Sequence, residues 1–384
     1  MMFNTKTPFN AVYIHWPFCP YRCHFCPFVA LASHDQYMDD YHKALCSEIK
    51  SFGERLEFRP SFNSIFMGGG TPSTYPPHLL LDMFDTLYNI GDLESGAEVT
   101  IEVNPGTVSE EALNAWAQAG INRLSIGVQS LKDDVLQGLN RHQSYAQVLS
   151  LLDMASAKFD NISIDLILGL PGVSPAEWQR MIETIVHWPI KHLSVYFLTV
   201  HENTPLYYGV KARKVLLPPD DSMISMFYWT IDTLAAHGFE QYEISNYARK
   251  GYQSKHNSAY WERVPYKAFG LGACGFDGNS RFQNTKNLMD YLKHAGNEEL
   301  LTVFSESLTP EQAWLEKLML GLRQRKGINI QPLMNELNKE KQHLFLTEIN
   351  TLITQDLLER EHDVIRFTPK GLAVENEIIV KLSV

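Results

Sequence analysis

Along the first two-thirds of the chain, short apolar runs of strand length alternate with longer stretches in which apolar residues recur three or four positions apart. Residues 11–15, Ala-Val-Tyr-Ile-His, form the first run, and Pro17 and Pro20 break it into a loop. Over 35–52, Tyr41, Leu45 and Ile49 fall four apart, which puts them on one helical face. A second strand over 62–67 runs into Gly68-Gly69-Gly70-Thr71-Pro72, and 78–90 is again helical in pattern. The alternation continues with strands expected at 98–103, 121–128, 161–168 and 192–199. Between and after them come helices at 109–119, up to about 158, at 174–187 and at 220–237. Ser109 is a natural N-cap and Gly120 a natural stop, while Pro175 suits a first helical turn.

Six strand-then-helix units imply a parallel sheet with right-handed crossovers. A doubly wound nucleotide fold places its glycine loop after the first strand. Here cysteines occupy that loop and the glycine triplet follows the second strand, so the expected fold is α/β, a full or partial (β/α) barrel. Thr71, Glu102, Gln129 and Asp165 fall within or near the C-terminal ends of four different strands, the ligand-binding face of such folds. Beyond about residue 238 the rhythm changes: 241–247 and 255–261 are polar-aromatic and irregular, and 269–275 is glycine-rich. Helical pattern returns at 310–321, where Trp314, Leu318 and Gly321 share a face, and a short strand is expected at 364–367. The expected division is a barrel over 1–240, an extension over 241–299, and a small, mostly helical, winged-helix-like domain over 300–384.

Composition narrows the possible functions. A net charge of -11 lacks the broad basic footprint of a non-specific nucleic-acid binder, so no nucleic acid is expected as a partner. The most apolar segment, 162–170, contains Asp165 and falls far short of the roughly 18–20 residues of a spanning helix. The first residues carry no long apolar core of a secretory signal. Five cysteines, three of them clustered, suit a reducing compartment and a metal site better than a disulfide framework. A cytoplasmic location is expected, with room for peripheral attachment at the inner face of a membrane.

The cluster is Cys19-Pro-Tyr-Arg-Cys23-His-Phe-Cys26, spacing C-x3-C-x2-C. Three thiolates can hold an iron–sulfur cluster and leave one iron open. Zinc is the alternative, although structural zinc usually takes four ligands; His15 and His24 are the nearby candidates for a fourth. Cys46 lies beside the apolar stripe of its helix and reads as an ordinary buried thiol.

These residues carry a resemblance. Cys19-x3-Cys23-x2-Cys26, with Phe25 before the third cysteine, resembles the signature of the radical S-adenosylmethionine (SAM) superfamily, and residues 68–72 resemble its motif for the methionyl amino group. The stretches 98–106 (EVTIEVNPG), 123–130 (RLSIGVQS) and 165–171 (DLILGLP) are similar to the HemN-like branch. Within that branch, coproporphyrinogen dehydrogenases carry a further cysteine two residues after the third; here Phe28 stands there, as in the HemW-like haem chaperones. Segments 242–248 (YEISNYA) and 256–261 (HNSAYW) are similar to the same chaperones. Two residues depart from their pattern: Pro27 replaces the usual Asp, and Ala273-Cys274-Gly275 replaces Ala-His-Ser.

The resemblance implies a partial (β/α)6 TIM-like barrel, a [4Fe-4S] cluster on Cys19, Cys23 and Cys26, and SAM. It places SAM against Tyr13, Phe25, Gly69, Gly70, Thr71, Glu102, Gln129, Arg141 and Asp165. It makes His256 the haem-contacting residue, with Tyr260 and Trp261 positioned to stack on a porphyrin. The implied partners are haem and acceptor haemoproteins, respiratory enzymes among them, and the resemblance leaves room for a homodimer. The rival implication is an enzyme acting on a porphyrinogen, or a HemN-like methylase.

Overall fold

The structure, a computed structural model, describes residues 2–383. Its βα series runs β1 (Ala11–Trp16), α1 (Met38–Gly53), β2 (Ser61–Gly69), α2 (Pro77–Ile90), β3 (Asp92–Val103), α3 (Glu110–Gln118), β4 (Arg123–Gln129), α4 (Tyr145–Ser156), β5 (Asn161–Leu168), α5 (Pro175–Ile185), β6 (His192–Phe197) and α6 (Asp220–Ala236). Strands β1 to β6 lie side by side in chain order, every neighbouring pair parallel. The expected α/β fold is present, with these six strands as one continuous parallel run of a larger sheet. The outer neighbour of β1 is a later strand, and that of β6 is the antiparallel β7 (Asn246–Ala248).

Local chemistry explains the boundaries. Ser109 Oγ accepts from the Ala112 N–H at 3.1 Å, and Gly120, at φ +83°, turns the chain out of the helix. Ser174 and Glu177 form a capping box ahead of Pro175. Tyr41, Leu45 and Ile49 are fully buried, as their spacing requires. On β3, Val99, Ile101 and Val103 are buried on one face, while Thr100 and Glu102 alternate onto the other. That second face is polar from strand to strand, with Ser125, Ser163, Asp165, His192 and Ser194. Barrels that only pack a core fill this space with branched apolar residues; here it is kept for chemistry.

After residue 238 the structure differs from the irregular segment that the sequence predicts. Helix α7 (Lys255–Trp261) docks on the sheet because buried Glu98 accepts from Ser254 Oγ at 3.0 Å and from the N–H groups of Lys255 at 3.0 Å and His256 at 3.1 Å. Strand β8 (Tyr266–Phe269) pairs parallel with β1 and adds a seventh parallel strand. Strands β9 (Cys274–Phe276), β10 (Ser280–Asn284) and β11 (Thr302–Ser307) extend the same sheet antiparallel. These elements are short and held by distant partners, so no periodic signal marks them. The C-terminal region contains α8 (Pro310–Arg323), α9 (Lys339–Thr354), β12 (Leu358–Glu361), β13 (Val364–Phe367) and α10 (Glu375–Leu382). Strand β13 is central in a small sheet between β12 and Ile328–Asn329. Arg323 ties this region back through an ion pair of 2.6 Å to buried Glu243. Among the described residues no helix is long and apolar enough to cross a membrane.

Candidate functional site

The loop after β1 is fastened on several sides. Phe18–Cys19 pairs with Leu31–Ala32, closing the loop at its base. The His24 N–H donates to Leu139 O at 2.9 Å, Asn140 Nδ2 to Arg22 O at 2.9 Å, and the Leu206 N–H to His24 O at 3.0 Å. The cysteine loop is thus pinned to the segments that follow β4 and β6.

The glycine triplet meets it from β2. Gly70 and Thr71 donate their N–H groups to Trp16 O and Phe18 O, each at 2.8 Å. A Cβ at Gly70 would stand 2.4 Å from Pro17 O, and Gly69 holds φ +121°, where a Cβ would strike the His15 ring. Glycine is therefore required so that two backbone segments can touch. Thr71 Oγ1 lies 3.1 Å from Cys19 Sγ, and Arg141 Nη1 donates toward Cys23 Sγ at 3.7 Å.

These groups wall a cavity of about 470 Å³, within the range of small-molecule sites. Every residue named from the sequence for the cluster or for SAM lines it except Tyr13. Gln129 ends β4 at φ +65°, a left-handed conformation that a non-glycine residue holds only under constraint. Ser125 Oγ donates to Asp165 Oδ2 at 3.1 Å, and the Gly69 N–H donates to Glu102 Oε2 at 3.2 Å. Arg141 Nε donates to Gln143 Oε1 at 2.9 Å, and its Nη2 to Gly127 O.

Burial sets the protonation states. It pushes the Cys19 thiol up to about 11 and raises Cys26 as well, so an incoming metal would displace protons here. Burial, assisted by the Asp165 charge, lifts Glu102 to about 8, and burial raises Asp165 too. Two half-buried acids and one guanidinium thus share the cavity.

Tyr13 and His256 lie in an adjoining cavity of about 260 Å³, which shares Phe28, Gly69, Glu102 and Tyr196 with the first. His256 is fully buried and stacks on Phe66 at 5.2 Å. Its Nδ1 is 3.0 Å from Ser64 Oγ and its Nε2 2.8 Å from Tyr260 Oη, so both ring nitrogens are engaged. Burial lowers its pKa to about 3. His15 is likewise engaged, by Tyr13 Oη at 3.1 Å and Val29 O at 2.9 Å, and it lies outside the cysteine cavity. Sequence reasoning missed Asn104, Tyr21 and Tyr196 as cavity residues. Asn104 Nδ2 donates to Tyr21 Oη at 2.6 Å, and its place two residues after Glu102 was the available signal.

The donor set fits a four-iron cluster. Three cysteines open onto one cavity with a cationic donor at Cys23 and a hydroxyl at Cys19. Among the described residues, the group whose ligand atoms all lie within 4.8 Å of one another is a different one, so the loop sulfurs are spread wider than a single zinc ion requires.

Known proteins resemble this chain over most of its length. The model of the Radical SAM superfamily matches residues 13–185, and that of the HemN C-terminal domain matches 308–374. A protein described as heme chaperone HemW from Lactococcus lactis is 31% identical over 374 residues, 97% of this chain and 97% of its own. The Bacillus subtilis protein of the same description is 31% identical over 371 residues, 96% and 98% of the two chains. A mitochondrial radical S-adenosyl methionine domain-containing protein 1 from Danio rerio is 33% identical over 341 residues, 85% and 77%. The solved structure of coproporphyrinogen III oxidase (HemN) from Escherichia coli superposes with a TM-score of 0.84 at 22% identity, covering 99% of this chain and 91% of that one.

Proposed function

This chain belongs to the radical SAM superfamily and, within it, to the family of the HemW haem chaperones, and on that premise we propose that it binds haem and passes it to haem-requiring acceptor proteins. The observation that carries this reading is the end-to-end likeness to proteins of that description, 97% of both chains in one case. Phe28 supports it: where a coproporphyrinogen dehydrogenase has a further cysteine, this chain exposes an aromatic ring.

The superfamily implies a [4Fe-4S] cluster and SAM, and the residues present fit both. Cys19, Cys23 and Cys26 would hold the cluster, leaving one iron for the amino and carboxylate groups of SAM. Bound together, the two supply one-electron chemistry at the SAM sulfonium. The chain's own residues orient the ligand: Arg141 offers a planar fork suited to a carboxylate, and Glu102 and Asp165 offer acceptors for ammonium or hydroxyl groups. Gln129 holds its side chain at the strand end, and Gly69 to Thr71 present backbone. Phe28, which borders both cavities, is the natural first surface for a porphyrin face, with Tyr196, also on both, and Tyr260 in the adjoining cavity beside it. His256 would reach an iron only by giving up one of its present partners, Tyr260 at Nε2 or Ser64 at Nδ1.

Adding hemin to the cluster-loaded protein is expected to shift the Soret band, and an apo-haemoprotein acceptor should then remove the haem. Absence of hemin binding with an intact cluster would overturn the reading. The set of Arg141, Glu102 and Asp165 around the cysteines is equally compatible with a second reading, an enzyme acting on a porphyrinogen. Rapid 5′-deoxyadenosine formation coupled to porphyrinogen turnover under reducing, anaerobic conditions would establish that alternative.

A further inference from the structure

Outside the barrel, away from the cysteine loop, α1 and α2 bring three metal-ligating side chains together. His42 and Cys46 lie one helical turn apart on α1 and are buried. Asp82 faces them from α2. His42 Nε2 is 3.0 Å from Asp82 Oδ2, Cys46 Sγ is 3.8 Å from the same oxygen, and Cys46 Sγ is 3.9 Å from His42 Nε2. All three ligand atoms lie within 4.8 Å of one another. A tetrahedral zinc ion bonded to sulfur, nitrogen and oxygen needs separations of roughly 3.2–3.6 Å between them, so each pair is within about half an ångström of that requirement.

The surroundings are also those of a ligand set. His42 Nδ1 is 2.8 Å from Tyr75 Oη, the kind of outer hydrogen bond that orients a metal-binding imidazole, and Nε2 faces Asp82 while Cys46 Sγ sits beside the ring, 3.8 Å from Nδ1 and 3.9 Å from Nε2. The Asp82 side chain is 64% exposed, which gives an ion a route in. His78 stands four residues before Asp82 on α2 and is exposed, so the fourth position falls to it or to water. Thiolate, imidazole and carboxylate in one tetrahedral set suit zinc better than calcium, magnesium or manganese.

We propose that His42, Cys46 and Asp82 form a zinc site, distinct from the cysteine loop, that clamps α1 to α2. Zinc replaces the thiol proton, which leaves to solvent. The clamp reaches the functional loop through Tyr75, whose ring stacks on Trp16 at 3.7 Å and 14°. Trp16 is the last residue before the Pro17 turn into the cysteines. The proposal does not depend on what the cysteine cavity binds.

Cluster-loaded protein, with its three loop cysteines occupied, is equilibrated with zinc and freed of loose metal before elemental analysis. A single zinc per chain is expected beyond the iron. Cobalt(II) in its place should show a thiolate charge-transfer band and the visible bands of a tetrahedral site. Cys46→Ser and Asp82→Asn should both abolish uptake with iron and sulfide content unchanged, and Tyr75→Phe should weaken it about tenfold. No zinc uptake, a cobalt spectrum without thiolate character, or uptake unaltered in Asp82→Asn would each overturn the proposal. The wild-type cobalt spectrum decides the matter even if Cys46→Ser fails to fold.

Discussion

The backbone N–H of Gly69 donates to Oε2 of Glu102 at 3.2 Å, joining the end of β2 to the end of β3 at the cavity wall. Glu102 lines both cavities, and its desolvation there, with the Asp165 charge added, holds its carboxyl far above the usual range. Folding lifts it from 4.5 to about 8, so the folded chain keeps a proton that the unfolded chain has released. Its contribution to stability is complete below about pH 4.5 and fades as the pH climbs through 8. Glu102→Gln, always neutral, should flatten that decline and gain on the order of a few kcal/mol over the parent above the folded pKa. Denaturant unfolding of both ligand-free proteins across this range checks it; superimposable pH profiles would refute it.

Arg141 places a permanent cation beside Cys23. Arg141→Ala should lower the reduction potential of the cluster, on the order of tens of millivolts, because the reduced and more negative state loses a stabilising charge. An EPR-monitored redox titration measures this. An unchanged potential would mean that the guanidinium serves Gln143 and Gly127 alone.

Phe28 is 64% exposed although it is a large apolar side chain at the mouth of two cavities. Phe28→Ala should weaken hemin binding about tenfold, ~1.4 kcal/mol, through lost ring contact. Cluster content should stay the same. Equal hemin affinities for the two proteins would move the porphyrin elsewhere.

His256 is committed to Ser64 and Tyr260, so its removal is expected to act on the fold. His256→Leu leaves two buried hydroxyls without a partner and should cost about 2–4 kcal/mol of stability. The Soret position of haem-loaded protein should not move. A shifted Soret band with unaltered stability would instead identify His256 as an iron ligand.

The βα series was readable because each of its elements carries its own signal: Tyr41, Leu45 and Ile49 at helical spacing, Ser109 and Ser174 as caps, Gly120 as a stop. The polar residues at strand ends were readable for the same reason, since strand position alone put Glu102, Gln129 and Asp165 on one rim. What escaped depends on contacts between distant segments. Strand β8 is four residues long and exists because β1 offers it an edge; α7 begins where Glu98 meets it. Cys46 is buried, as its place beside the apolar stripe suggests, but the approach of Asp82 to 3.8 Å comes from the packing of α1 on α2, which no local pattern records. Tyr13, which the resemblance sets against SAM, lines the adjoining cavity, which shares Gly69 and Glu102 with the first.

The contact at Gly70 has an evolutionary consequence. Since a side chain there would collide with Pro17 and Phe18, the second strand's loop and the cysteine-bearing loop are a single steric part divided between two places in the sequence. Neither can drift, or be grafted into another scaffold, without the other.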